Sequence, residues 1–342
     1  MNQAMTPKEH FIAAINHQEV DYLPTCGPFQ GIWALEVSGV PVGESIAKPE
    51  LAAEAQLKVI QSCDFDGLEV MWDWLSPVEA LGCEIQIPDV GAPITMNHLI
   101  EDTASLSELQ VPDINQDDRL KSSVQSAQIL IDKLGKERYL YCTAVAPFTL
   151  AGEIRGVEYL MRDCFKKPSF VTELLEFTTE VLTGYYAYLT TLDVDGIFIC
   201  DPTASGSLIS RKVFDKFAKP QISAIANLVK KAGKHAIIHI CGDISDRLES
   251  IMDIDHDVLS VDSYVDLEYA KRVIGDKVAT LGNVDVATTL FMGTQEQVKD
   301  EILTCVKKTD NKGHILGGAC DIAPESPLEN LAMWKPVLKN QR

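Results

Sequence analysis

Short apolar, β-branched or aromatic runs recur eight times along the chain, at 22–26, 67–71, 138–143, 195–200, 235–240, 258–262, 278–282 and 313–318. Longer stretches of helical periodicity lie between them. Residues 159–190 place Tyr159, Leu160, Cys164, Val171, Leu174, Leu175 and Phe177 at helical spacing, and 212–232 does the same with Val213, Phe217, Ile222, Ile225 and Leu228. Strands that alternate with helices pair in parallel, because each connection must cross back over the sheet. Eight such units imply closure into a (β/α)8 TIM barrel. Asp64-Phe65-Asp66-Gly67 and Asp193-Val194-Asp195-Gly196 both lead directly into strand-like runs, as a helix-to-strand turn repeated around a barrel would.

The chain has 342 residues, 46% of them hydrophobic, enough to bury one large core. No Pro/Gly/Ser linker, low-complexity tract or abrupt charge shift marks a boundary, so residues 1–342 read as a single α/β domain. Thr6-Pro7-Lys8-Glu9 predicts an N-terminal helical extension, with Thr6 as N-cap, Pro7 at the first helical position and Glu9 as reciprocal capping partner. Residues 76–137 are too long for one plain crossover, and they contain the polar run EDTASLSELQ. They predict an excursion between strands two and three that covers the barrel mouth.

Several function classes drop out. With 30 Lys+Arg against 50 Asp+Glu, the formal charge of −20 argues against nucleic acid as a partner, and no basic cluster offsets it. No run reaches the roughly 18 apolar residues of a membrane span, and MNQAMTPKEH lacks the order of a signal peptide. The expectation is a cytoplasmic protein without a membrane partner. The nine cysteines are an odd number spread over the whole chain, unlike a secreted disulfide framework. Most, such as Cys142 in YLYCTAV and Cys200 in GIFIC, sit in apolar runs as small hydrophobes.

In a TIM barrel the chemistry sits at the C-terminal ends of the strands. The fifth run ends in His239-Ile240-Cys241-Gly242-Asp243, and residues i and i+2 of an extended chain face the same side, so His239 and Cys241 can present imidazole and thiolate to one point. The eighth ends in Gly317-Gly318-Ala319-Cys320-Asp321, where paired glycines allow close backbone approach and Cys320 can lean over the same mouth. One histidine and two cysteines make three zinc ligands and leave the fourth position open, as catalytic zinc sites do. A core histidine and two buried cysteines are the ordinary alternative reading of the same residues.

The stretches TPKEHFIAAINHQEVDYLP, SPVEALGCEI, APFTLAGEIRG, DGIFICDPTASGSLIS, IHICGD, SVDSYVDLEYAKRVIGDKVATLGNVD and GGACDIAPESPLENL together make the chain resemble the uroporphyrinogen decarboxylase superfamily, specifically its methylcobamide:coenzyme M methyltransferase (MtaA/CmuA) branch. The resemblance covers essentially the whole chain. It implies a His-x-Cys…Cys zinc site at His239, Cys241 and Cys320, a corrinoid protein that docks over the mouth to supply a methylcobamide, and a small-molecule thiol such as 2-mercaptoethanesulfonate as acceptor. Zinc would lower the pKa of that thiol from about 8.5 and leave its sulfur nucleophilic. The decarboxylases of the superfamily carry an arginine-containing RQAGR-type motif after strand one, whereas Thr25-Cys26-Gly27-Pro28-Phe29-Gln30-Gly31 has no arginine. Decarboxylation is therefore not expected.

Two further readings stay open. The site could hold a methylated donor, such as a methoxylated or methylamine compound, and pass its methyl to cobalt(I), or the barrel could be a non-catalytic corrinoid- or zinc-binding accessory protein. Candidate substrate-facing residues are Asp73, which falls where the decarboxylases keep their catalytic aspartate, Asp201 and Asp262 at strand ends, Tyr264 across the mouth, and Asn283 in GNVD beside Asp285. Arg155 or Arg211 could meet a sulfonate. Some relatives have a carboxylate after the SVD run, where this chain has Ser263. His235, His256 and His314 lie near strand starts and are expected to be structural.

Overall fold

In a computed structural model, which describes residues 5–275 and 277–340, Thr6 opens the first helix, Pro7–Ile15, as its sequence predicts. Its hydroxyl accepts from the Glu9 amide at 3.2 Å, and the Glu9 carboxylate accepts from the Thr6 amide at 2.7 Å. This helix plugs the lower end of the barrel. Phe11 stacks on Tyr139, ring centroids 4.1 Å apart, and crosses Gly67 so closely that a Cβ there would lie 2.5 Å from the ring.

Among the described residues ten strands follow, in the order β1 (Thr25–Cys26), β2 (Gly67–Met71), β3 (Ile85–Gln86), β4 (Ile94–Thr95), β5 (Tyr139–Val145), β6 (Gly196–Cys200), β7 (His235–His239), β8 (Val258–Ser260), β9 (Ala279–Val284) and β10 (His314–Gly318). Eight of them close a parallel barrel in the order β1-β10-β9-β8-β7-β6-β5-β2, with Cys26 opposite Gly67 completing the ring. Inside it Tyr139, Tyr141, Phe198, Ile237, Leu281 and Ile315 are fully buried, a packed interior and not a pore. A second apolar layer joins the outer faces of the strands to the helices. No helix among the described residues is long and apolar enough to cross a membrane.

The Asp-x-Asp turn expected twice occurs three times. Asp66 before β2 accepts from the Thr25 amide of β1, Asp195 before β6 from the Leu140 amide of β5, and Asp257 before β8 from the Ala236 amide of β7, each at 2.9 Å. A lysine meets each carboxylate, Lys335 at Asp66, Lys8 at Asp195 and Lys230 at Asp257. Each aspartate pairs an amide at the start of the preceding strand, where the ladder has not yet begun.

The expected helices are interrupted where proline demands it. The 159–190 segment breaks into Val157–Lys166 and Pro168–Leu189, since Pro168 can begin a helix but cannot donate within one. The 212–232 segment passes through a wider five-residue turn, Phe214–Ala218, just before Pro220. The first strand is also shorter than its apolar run, because Pro24 has no amide to donate. The 76–137 excursion holds the helix Ser76–Ala80, the antiparallel β3–β4 hairpin and the helix Asp118–Leu134. Ala92 and Pro93 between the two hairpin strands reach the mouth cavity.

Candidate metal centre at the barrel mouth

The ends of β6, β7 and β8 lie in one layer, with Cys200 opposite His239 and His239 opposite Ser260. Two residues past β7 the chain brings Cys241 alongside His239, with Nε2 3.3 Å from the Cys241 sulfur. From across the barrel, just beyond β10, Cys320 places its sulfur 3.6 Å from that of Cys241 and 3.8 Å from His239 Nε2. The close approach expected of Gly317 is present, since a Cβ there would sit 3.0 Å from Leu281 Cδ2 and 3.1 Å from the Cys26 carbonyl oxygen.

These three ligand atoms form the one His/Cys/Asp/Glu cluster with metal-binding spacing among the described residues. A tetrahedral zinc with bonds of about 2.0–2.3 Å separates its ligand atoms by roughly 3.5–3.8 Å; two edges of the observed triangle, 3.6 and 3.8 Å, fall in that range and the third, 3.3 Å, is slightly shorter. The His239 ring is fixed from behind, Nδ1 lying 3.0 Å from Ser260 Oγ. With Nδ1–H donating to that hydroxyl, the Nε2 lone pair faces the two sulfurs. The Phe29 ring meets His239 edge to face at 4.7 Å and packs its side.

Electrostatics favour a cation at this point. Hydrogen bonds from Cys241 and His239 hold the Cys320 thiol well below its ordinary range, while the same bond to Cys320, with burial, pushes Cys241 up. Two sulfurs this close do not both carry charge unless a cation lies between them.

The triad lies on the wall of a cavity of about 190 Å³, shared with Phe29, Trp72, Trp74, Glu69, Asp73 and Asp321 among others. The predicted substrate-facing residues take different places around it. Asp73 does line the cavity, but its carboxylate is gripped by the buried Arg119, whose Nη2 donates to Oδ1 at 2.9 Å and whose Nε donates to Oδ2. Asp201 gives its amide to the His239 carbonyl oxygen and turns its carboxylate to the Thr149 hydroxyl, 2.6 Å away. Burial pushes that carboxyl up to about 7 against the lowering bond from Thr149. Asn283 donates to the carbonyl oxygens of Asp262 and Val265, and Asp262 in turn accepts from the Gly242 amide at 2.8 Å, so the two pin the turn that carries Cys241. Tyr264 is 76% exposed on the loop after β8.

Neither arginine proposed for a sulfonate faces the cavity. Arg155 is buried and committed to Asp163 and to the carbonyl oxygens of Ile100 and Glu101, and Arg211 lies among Asp215 and Glu249. Ser263 Oγ lies 3.3 Å from Asp262 Oδ1 and 3.2 Å from Asp285 Oδ2, and its one proton serves one of the two carboxylates at a time. His235 and His314 begin β7 and β10, at the far end from the triad, and His256 faces the Ile254 carbonyl oxygen just before β8.

Sequence reasoning did not single out Ser260, Glu69 or Arg119. Glu69 had a signal, a charged residue in the middle of a strand that is otherwise apolar. Its carboxylate accepts from the Gly31 amide at 2.9 Å and from the Thr143 hydroxyl, and burial pushes it up to about 8.

Comparison with known proteins places the chain among relatives of one family. The family model for uroporphyrinogen decarboxylase (URO-D) matches residues 6–340. The methylcobamide:CoM methyltransferase MtbA of Methanosarcina acetivorans is 29% identical over 98% of both chains. The methylated-thiol–coenzyme M methyltransferase of Methanosarcina mazei is 28% identical over 99% of this chain and 90% of its own. The solved structure of a methyltransferase from Methanosarcina mazei superposes with a TM-score of 0.89 at 26% identity, covering 98% of this chain and 99% of the other. With the family match spanning residues 6–340 and the fold superposing on that of a solved methyltransferase over nearly its whole length, the chain belongs to the uroporphyrinogen decarboxylase family.

Proposed function

We propose that the protein is a zinc-dependent methyltransferase that moves a methyl group from a methyl-cobalt(III) corrinoid protein to a thiol. The observation that carries this reading is the triangle of His239 Nε2, Cys241 Sγ and Cys320 Sγ on the wall of a cavity open at the barrel mouth. The relatives that are methylcobamide:CoM methyltransferases support the same class of reaction.

Bound zinc would supply a Lewis acid at which a substrate thiol loses its proton and stays nucleophilic. The work of the chain is to hold the three ligands in place. Ser260 orients the imidazole, and Asp262 fixes the Gly242 amide beside Cys241. Phe29 and Trp72 wall the cavity with apolar surface, which keeps bulk water from the sulfur and strengthens every charge interaction there. Val90 in the β3–β4 hairpin and Leu208, Tyr264 and Met292 on segments after β6, β8 and β9 are exposed apolar side chains that a docking corrinoid protein could cover.

The reaction is tested by incubating zinc-loaded protein anaerobically with free methylcobalamin and a panel of thiols while recording the visible spectrum. Thiol-dependent loss of the methyl-cobalt spectrum, abolished in Cys241→Ala, is the expected result. Absence of reaction with every thiol, despite bound zinc, would shift the reading to the donor-side direction, in which a methylated compound gives its methyl to cobalt(I), or to a non-catalytic corrinoid- or zinc-binding accessory role. The relative named for a methylated thiol is the observation that favours keeping the donor-side direction in view.

A further inference from the structure

We infer that the cavity selects an uncharged or cationic thiol and discriminates against an anionic one such as a sulfonate, because among the described residues its wall carries two acidic side chains without ion-pair partners, Glu69 and Asp321, and no lysine or arginine. The inference rests on the thiol-transfer reading above and narrows its substrate class. Among the described residues that line the cavity there is no lysine or arginine, whereas Glu69, Asp73 and Asp321 all stand on its wall.

The three acids are not equivalent. Asp73 is neutralised by Arg119, and the same guanidinium also reaches Glu79 at 3.3 Å, so this cation is already shared between two carboxylates and has none to spare for a ligand. Glu69 and Asp321 have no ion-pair partner among the described residues. Glu69 is buried in the wall, held by the Gly31 amide and the Thr143 hydroxyl. Asp321 is exposed beside Cys320. The first amide of the helix Gly31–Ser38, a position where an anionic ligand could otherwise rest, is taken by Glu69.

An anion entering this space would find no lysine or arginine among the described lining residues, would lose its hydration in an apolar enclosure, and would keep Glu69 protonated. A cation or a neutral hydroxyl meets the opposite situation. Burial holds Glu69 at about 8, so an incoming cation draws its charge out while a neutral ligand leaves it protonated. The faces of Phe29, Trp72 and Trp74 add a favourable quadrupole for a cation at the same wall.

Three two-carbon thiols that differ only in terminal charge provide the test: cysteamine, 2-mercaptoethanol and 2-mercaptoethanesulfonate. Each is titrated calorimetrically into zinc-loaded protein, with affinities corrected for the ionisation of the free thiol, and each is then assayed for methylcobalamin demethylation. The sulfonate is expected to bind at least about tenfold more weakly than the other two and to rank last in kcat/KM. In Glu69→Gln the gap should narrow by about threefold or more. Sulfonate binding as tight as that of 2-mercaptoethanol would overturn the charge selection and leave the thiol reading standing. If none of the three binds, the thiol reading itself falls, and this narrowing of it falls too.

Discussion

His239 Nδ1 and Ser260 Oγ lie 3.0 Å apart across neighbouring strands, at the aligned ends of β7 and β8. That contact fixes which ring nitrogen faces the two sulfurs. Ser260→Ala removes the acceptor and leaves the fold intact, and zinc affinity should drop by about tenfold or more. Competition against a chromogenic chelator measures it directly.

The three ligands act as a unit. Metal analysis of purified protein should find about one zinc per chain, and nearly none in Cys241→Ala or in Cys320→Ala. Full zinc retention in both variants would remove the site assignment.

Arg119 and Asp73 are both almost wholly buried and hydrogen-bonded through two N–H groups. Removing one partner strands the other charge away from water, so Arg119→Ala is expected to cost roughly 3 kcal/mol in urea unfolding. The conservative Arg119→Lys should recover only part of this, because an ammonium cannot match the two carboxylate oxygens with a planar fork.

Acid sensitivity should trace partly to His314. Burial, followed by the nearby Lys271 charge, lowers its pKa from the ordinary 6.5 to about 3. The unfolded chain therefore binds a proton that the folded chain refuses between those values. Stability falls as pH drops from about 6.5 towards 3, by up to about 1.4 kcal/mol per pH unit for this one group. His314→Asn, which keeps a polar atom near Thr280, should flatten the dependence of the urea midpoint over pH 4–6. An unchanged slope would show that His314 is not the group responsible.

Much of the barrel was legible because the eight strands are buried on both faces and so read as apolar runs. The triad was legible because barrel topology sends the chain ends after β7 and β10 to one mouth. Asp73 and Asp201 show where reading by position stops. Both stand at the mouth in sequence, but whether a carboxylate faces a cavity or turns to an arginine or a threonine depends on partners distant along the chain. Arg119, 46 residues from Asp73, lies within the excursion, whose course no periodicity specifies. Ser260 became visible as a partner of His239 only once register was known, since a serine at a strand end has no sequence signature of its own. The two helix breaks at Pro168 and Pro220 were written in the sequence, but the apolar spacing on either side reads through them.

The three aspartates at the lower rim, Asp66, Asp195 and Asp257, anchor the starts of β1, β5 and β7, and Lys335, Lys8 and Lys230 lock them. They act as a hoop round the base of a cask, holding the staves at the end opposite the chemistry. The lid can therefore be rebuilt without loosening the vessel: the β3–β4 hairpin, or the loops bearing Leu208 and Met292, are places where a different partner or substrate could be accommodated by exchange of whole segments while the barrel beneath keeps its register.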